Sequence, residues 1–484
     1  MRRQLILTLL AAASLTLSGC GREKNYDNPQ ISEADRAQAA EQHPMILAEF
    51  GGVYEGPEAR YVAALGEKIA GAAGVSGACT FTMVNTDVVN AFAVPGCYIY
   101  ITRGLFAIVN SEAELASVLG HEIGHIVAEH SERRQRRAMF SGLGAALIGA
   151  VTGSERLAAI AGGAAQLYTL GYSRKQEFES DNLGIRYLAA AGYDPYAAAD
   201  MLDALGDHEQ LQATSTGRDD ATSIPGWART HPLAEDRVER AIAEAEEEGH
   251  PRGSLPEREE PYFAQVDDLL FGDDPEQGFV LGRRFAHPTM RISFEAPPGF
   301  SLTNTPRAVL ISGPDNVRGE FGGGRLPRDG LEGYTGAILS EVLGNESVQV
   351  QPGEAVRTRV NGVAALIVPV MAQTREGQVQ VTIAAYAGPD GEAYHFLMLS
   401  PAGGNAGGVE SLFGSFRFLS PADVASLRPR RIEVVTARAR DTLQSLAARM
   451  AYDDFKLERF LTLNGRERNQ PVRPGEKLKI VVFG

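Results

Sequence analysis

The spacing of apolar residues changes character twice along the chain. From about 46 to 249 apolar positions recur mainly at helical intervals. PEARYVAALGEKIAGAAG (57–74) reads as a helix with proline near its start and glycine at its end. FTMVN and CYIYITRG read as strands flanking NAFAVPG. NSEAELASVLGHEIGHIVAEHSERRQRR (110–137) then predicts one long helix. Ser111 and Glu114 fit a capping box, and basic residues crowd its end, where they complement the helix dipole. AMFSGLGAALIGAVTG (138–153) is apolar but short and glycine-rich for a membrane span, and reads as a covering, membrane-surface or buried helix. QEFESDNLGIRYLAAAG predicts a helix stopped by Gly192, and a further helix runs from Asp194-Pro195 to about Gly206. Residues 207–230 are polar and loop-like, and HPLAEDRVERAIAEAEEEG closes the helical part.

From 281 to 420 the period switches to alternation, in MRISFEA, RAVLIS, AALIVPVMA, QVQVTIAAYA and YHFLMLS, with turn signals between the runs. DGLEGYTGAILSEVLG supplies one helix there. The expected fold is therefore a multidomain α+β chain. It has a signal segment at 1–20, a tether at 21–45 and a mostly helical domain with a small edge sheet at 46–249. An acidic linker with one short helix follows at 250–280, then an antiparallel-sheet α+β domain at 281–420 and a small β-α-α-β unit at 431–484. A length of 484 residues is ample for several cores. A net charge of −15 argues against nucleic acid as a partner, because its binders need clustered Lys and Arg.

The N-terminus joins a basic MRRQ to the apolar run LILTLLAAASLTLS and ends LSGC. This resembles the lipobox of bacterial lipoproteins. The resemblance implies acylation at Cys20 and a lipid anchor in the bacterial envelope, facing the periplasm. Gly21 after the cysteine, by resemblance to enterobacterial sorting, favours the outer membrane. Cys79 and Cys97 then remain, both in strand-like sequence, and the sequence leaves open a cross-strand disulfide or two buried thiols.

Chemistry concentrates in two stretches. In HEIGH, His121 and His125 lie one turn apart on one helix face, where two imidazoles are able to grip one metal ion, and Zn(II) suits them. Glu122 sits beside them. Two histidines leave such an ion short of a protein ligand. In QEFESD, Glu177 and Asp181 lie about 40° apart on their helix, with Glu179 on the opposite, solvated side. Glu177 has the reach of a third ligand, and Asp181 is placed to accept the free N–H of a ligand histidine. Geometry alone leaves Asp181 open as the ligand. His130, half a turn from His121, reads as exposed.

H-E-x-x-H followed by E-x-x-x-D on a later helix resembles the gluzincin metallopeptidases. VNAFAVPGCYIYITRGL, LGHEIGH, GYSRKQEFESDNLG and RTHPLAEDR resemble, more closely and over roughly 45–245, peptidase family M48 (the BepA-like, Oma-like and HtpX-like zinc metalloproteases). The resemblance implies one Zn2+ per chain on His121, His125 and Glu177, with Glu122 as general base. It implies a catalytic or gating role for His231, near the metal or at the oxyanion. An extended substrate would pair with the strand at Asn90 and Ala93. Arg237, one turn beyond His231, is a candidate for polarising the site, with an exposed helix arginine as the other and preferred reading. The family usually has glycine where Cys97 stands.

Residues 433–482 resemble a LysM module through Asp441-Thr442-Leu443, Leu463-Asn464 and Pro474-Gly475-Glu476-Lys477-Leu478, which implies peptidoglycan as a partner. Arg440 departs from the usual glycine. Together the resemblances imply an envelope endopeptidase that hydrolyses misfolded or misassembled envelope proteins with a metal-activated water. The alternative is a non-catalytic periplasmic chaperone or scaffold that binds clients and peptidoglycan, which has no need of Glu122.

Overall fold

The computed structural model describes residue 26 and residues 29–134, 171–216, 226–232, 236–343, 349–374, 377–401 and 407–484. Cys20 and the apolar stretch 138–153 lie outside the described residues. No helix among the described residues is long and apolar enough to cross a membrane.

The first core forms around helices α1 (Glu33–Glu49) and α2 (Pro57–Ala72), strands β1 (Thr80–Val84), β2 (Ala91–Val94) and β3 (Tyr98–Thr102), the short helix α3 (Arg103–Ile108) and helix α4 (Glu112–Val127). The sheet order is β1-β3-β2, with β1 parallel and β2 antiparallel to β3, so β2 is an edge. Cys79 and Cys97 are disulfide-bonded and tie the start of β1 to the start of β3. Cys97 has φ 62°, a backbone region that favours glycine.

The tether expected over 21–45 is shorter than that. α1 already begins at Glu33, capped by Ser32, and lays Ala39 and Ile46 against Val84, Phe92, Val94 and Tyr100. Its apolar positions are too few to stand out from polar neighbours.

Around α4 pack α5 (Arg174–Ala190), α6 (Ala197–Thr216), α7 (Gly226–Thr230) and α8 (Arg237–Glu247). α6 runs well past Gly206, the end expected for it, into the stretch read as loop. The acidic linker expected over 250–280 is structured too. Helix α9 (Glu259–Val266) buries Tyr262, Phe263 and Val266 in the core that holds Leu115, Leu119 and Ile123 of α4. Strand β4 (Leu270–Phe271) follows and pairs with Arg430 and Arg431. Three aromatic and aliphatic side chains at helical spacing outweigh the acids around them.

The alternating middle folds as antiparallel sheets. One has eight strands, with residues 363–374, 377–387, 392–401 and 318–325 at its centre; a second has four. Phe294, Phe321, Phe396 and Phe416 fill one core, and the helix Gly330–Leu343 covers another with Tyr334, Ile338 and Val342.

The C-terminal unit runs β5 (Arg430–Thr436), α10 (Leu443–Ala447), α11 (Lys456–Leu463), β6 (Lys477–Phe483), with β5 and β6 antiparallel. Thr442 caps α10. Asn464 clamps the unit internally, donating to the carbonyls of Phe460 and Lys479 and accepting from the Lys479 amide. The unit is fastened to the helical domain by Lys479, which is fully buried. Its Nζ donates to the carbonyls of Ala107, Ile108 and Val109 at 2.9, 3.1 and 2.5 Å, at the C-terminal end of α3. Three donors meet three acceptors. Burial pushes the ammonium down to about 7, against the pull of Glu114.

Lys479→Met keeps the unbranched apolar stem of the side chain, one atom shorter, and removes the donors. It leaves three carbonyls unanswered in the interface, at a cost of about 3 kcal/mol. The main thermal transition should fall by several degrees; an unchanged transition would show that Lys479 does not hold the two units together.

Candidate metal centre

Three elements deliver the site. α4 presents His121 and His125 on one face, α5 presents Glu177 and Asp181, and His231 follows the end of α7. α4 is stable where it stands because Ser111 caps it, accepting from Glu114 N at 3.0 Å, while the Glu114 carboxylate reaches back to Asn110 N at 2.7 Å. The carboxylate thus answers the residue before the cap, one earlier than the capping box predicts.

Glycines set the distance between α4 and α5. A methyl group on Gly184 would stand 2.9 Å from the His121 amide nitrogen. One on Gly120 would stand 3.1 Å from the Gly184 carbonyl oxygen, and one on Gly124 3.1 Å from that of Ser180. The backbones touch, so the Glu177 carboxylate reaches the two imidazoles.

The nitrogens and oxygens of His121, His125, Glu177 and His231 converge, all within 4.8 Å of one another and all buried. His125 Nε2 is 3.0 Å from His121 Nε2, and His121 Nε2 is 3.2 Å from His231 Nδ1. Glu177 Oε1 lies 3.3 Å from His231 Nδ1 and 3.5 Å from His125 Nε2. Four ligand atoms around a tetrahedral zinc, each about 2.0–2.2 Å from it, stand roughly 3.3–3.5 Å apart. His231, expected near the metal or at the oxyanion, is therefore placed with the ligand atoms.

The proton inventory points the same way. His121 Nδ1 is 2.9 Å from Asp181 Oδ1, which assigns its proton to that side. His125 Nδ1 likewise faces a partner, His130 Nδ1, at 2.7 Å. Both Nε2 lone pairs then face each other across 3.0 Å, a repulsive arrangement unless a cation lies between them. Among the described residues Glu177 Oε2 is buried without a hydrogen bond, and the buried Glu122 carboxylate has the Ala93 backbone and the His231 ring beside it. Glu177 Oε2 does lie 3.1 Å from Arg237 Nη1, close enough for charge attraction though not aligned for donation. The donor set fits a divalent metal of borderline softness.

Arg237 corrects an expectation. It is 1% exposed, not a surface residue. Its Nε and Nη2 clasp Asp181 at 2.9 and 2.8 Å. Burial opposes charge on Asp181, but Arg237 and His121 hold its carboxyl well below the usual range. Burial likewise opposes charge on Glu177, and His231, His121 and Arg237 keep it below its ordinary value. Glu122 is different: burial pushes its carboxyl up, against His231 and His121. Its Oε1 stands 3.3 Å from His231 Nε2.

His130 and Glu179 are also corrected. His130 is fully buried and bonds Glu179, which is half-buried and paired rather than simply solvated. The long helix expected over 110–137 breaks at Ala128, and Glu129 takes φ 51°, which turns His130 back toward His125. The sequence also gave no sign of two rings: Tyr172 stacks on His125 with centroids 3.8 Å apart, and Trp227 on His231 at 4.4 Å. Asn90 does not offer its backbone to a substrate. Its N–H and C=O are both bonded to Thr102, and its side chain accepts from Thr230 beside His231. Ala93 does lie in the edge strand β2, beside Glu122.

Residues 57–245 match the family model described as Peptidase family M48. This segment belongs to peptidase family M48. Curated proteins similar to this chain include a β-barrel assembly-enhancing protease of Yersinia pestis, 30% identical over 213 residues, 42% of each chain. Another is the mitochondrial metalloendopeptidase OMA1 of Arabidopsis thaliana, 35% identical over 157 residues, 32% of this chain and 31% of the other. The chain thus spans well under half the length of these relatives. Among solved structures, cyanobacterial PsbP from Synechocystis covers 29% of this chain and 98% of its own at 14% identity and a TM-score of 0.22. A Bacteroides thetaiotaomicron protein covers 33% and 55% at 13% identity and 0.23. Scores this low carry nothing about the fold.

Gly184→Ala tests the helix approach in the M48 segment. The added methyl meets backbone and must push α5 outward, costing about 1–3 kcal/mol and carrying Glu177 away from the histidines. Zinc held per chain after dialysis against a chelator should fall below the wild-type value. Equal retention would show that the glycine contact does not set the site.

Proposed function

We propose that the chain is a zinc-dependent endopeptidase of the bacterial cell envelope that hydrolyses peptide bonds in misfolded or misassembled envelope proteins. The observation that carries the reading is the convergence of His121, His125, Glu177 and His231 beside the buried carboxylate of Glu122. His121, His125 and Glu177 would hold the ion. Zinc there would supply Lewis acidity, making water ionisable near neutral pH and polarising the scissile carbonyl.

The chain's own groups do the rest. Glu122 takes a proton from the attacking water and returns it to the leaving amine; its raised affinity for a proton suits that exchange. The edge strand β2 at Ala93 is where an extended segment would add, with the Ala93 N–H passing from the Glu122 carboxylate to the substrate; strand addition favours unfolded chains over folded ones. His231 completes the ligand set as it stands; turned out of it, its N–H is available to a developing oxyanion. Turnover then requires His231 to leave its place, because a catalytic metal site needs one position free of protein.

The Yersinia relative is named for enhancing β-barrel assembly, which supports misassembled envelope proteins as the substrate class. The LSGC sequence supports a lipid anchor at Cys20, and the β-α-α-β order of residues 430–483 supports a LysM-like unit that contacts peptidoglycan. A closed set of four ligands is also what a purely structural metal site presents, and this favours the scaffold as the second reading. Glu122 favours the enzyme: its carboxylate is buried beside the ligand atoms without being one of them, a placement that a scaffold does not need.

The deciding experiment incubates the chain from residue 21 onward with an unfolded model protein, beside Glu122→Gln. Wild type should cleave, Glu122→Gln should fall by at least a hundredfold, and a zinc chelator should abolish the activity. If wild type and His231→Ala both hold zinc yet neither cleaves, the scaffold reading replaces the peptidase.

A further inference from the structure

The two histidines of α4 are supported differently. His121 gives its Nδ1–H straight to a carboxylate, Asp181, which Arg237 clasps. Among the described residues the partner of His125 Nδ1 is not a carboxylate but a second imidazole, His130 Nδ1, at 2.7 Å. On the far side His130 Nε2 lies 3.1 Å from Glu179 Oε2. Arg133 Nη2 reaches that same oxygen at 2.9 Å, and the Tyr26 hydroxyl donates to Glu179 Oε1. Gln176 Nε2 holds the His130 carbonyl at 3.1 Å, and the Ser180 hydroxyl stands 3.3 Å from His130 Nδ1.

Only one arrangement of protons satisfies the row with all rings neutral. A histidine whose Nε2 lone pair faces a metal carries its proton on Nδ1. His125 therefore donates and His130 Nδ1 accepts. His130 must then carry its own proton on Nε2, and gives it to Glu179. The end of this row repeats the end of the other: a carboxylate held by an arginine, Glu179 by Arg133 as Asp181 by Arg237. An imidazole has been inserted between ligand and carboxylate, and the break after Val127 is what folds it into place.

We propose that His130 and Glu179 are positioning residues for the ligand His125, acting as a hydrogen-bonded relay that Tyr26 of the N-terminal segment closes. The proposal rests on the reading that the site holds a divalent metal. The relay fixes the ring of His125 and raises its basicity toward the ion, the effect usual for groups behind metal ligands. Through Tyr26 it also makes the hold on the ion depend on how the N-terminal segment lies against α5.

The test uses the chain from residue 21 onward with zinc bound. It measures the rate of zinc loss to excess chelator, the visible bands of the cobalt-substituted protein, and the melting temperature after the metal is stripped. Glu179→Gln keeps an acceptor and removes the charge. It should lose zinc about tenfold faster and shift the cobalt bands, with the metal-free melting temperature unchanged. His130→Ala should lose zinc faster still, and His130→Gln, which keeps an acceptor and a donor, should recover part of the difference. Tyr26→Phe should give a smaller rise in the same direction, and no rise would remove Tyr26 from the relay. Zinc loss within twofold of wild type in both Glu179→Gln and His130→Ala would overturn the relay. So would losses that merely follow the metal-free melting temperature, because a structural role alone moves both together. A wild-type chain that holds no stoichiometric zinc would overturn the reading of the site, and the relay with it.

Discussion

The site depends on two helices being allowed to touch. Helices normally pack with axes 8–10 Å apart, held off by their side chains. At Gly120, Gly124 and Gly184 there are none, and the backbones of α4 and α5 meet. A Glu side chain is short, and Glu177 reaches His121 and His125 only because its helix lies this close. The same contact puts Asp181 against His121 one turn further on, and brings Glu179 to His130. What the helices lose in apolar contact at the glycines they recover around it, where Leu115, Leu119 and Ile123 are fully buried.

This explains which parts of the site were legible. HEIGH shows itself because a metal needs two ligands on one face of one helix, and that need is written at a spacing of four. Glu177 and Asp181 show themselves for the same reason. Residues that arrive from elsewhere leave no periodic trace. Arg237 sits on an ordinary polar helix and reads as exposed, yet two carboxylates draw it inside. His130 misleads in the opposite sense: a continuous helix would point it away from His121, and a two-residue break reverses that. Trp227 and Tyr172 lie close in sequence to His231 and Glu177, but a lone aromatic carries no spacing that says which ring it stacks on. The fold divides in the same way. Alternation in the middle of the chain announces the antiparallel sheets. The short helix within 250–280 was expected, but its docking was not: acids surround Tyr262, Phe263 and Val266, and burial is a property of the partner surface as much as of the segment.

The C-terminal unit shows how far such long-range constraint extends. Its strand β5 borrows β4 from the segment after α9, and its Lys479 enters the helical domain from the other end of the chain. The carbonyls it answers close α3, and the next residues cap α4. A helix end buried without donors would be costly. Here a lysine from a different unit meets that need, so the folding of α3 and the docking of the unit are one event. The unit is thus part of the support for the helix that carries HEIGH.

Charge accounts for why so many acids can be buried together. Glu122, Glu177 and Asp181 are all within the site, and Arg237 is the guanidinium set against them. With all three acids ionised and every histidine neutral, as they are when a metal is held, that leaves an excess of two negative charges in a medium that penalises even one. A monovalent cation would halve the excess; a divalent cation removes it. The outlying pair, Glu179 with Arg133, is already balanced and asks for nothing. A divalent ion thus suits the charge of the three ionised acids as well as the shape of the ligand set. The charge balance also explains why Glu122 can hold a proton easily while Glu177 cannot: the arginine and the histidines have been spent on Glu177 and Asp181, and Glu122 is left with the weakest hold on its charge.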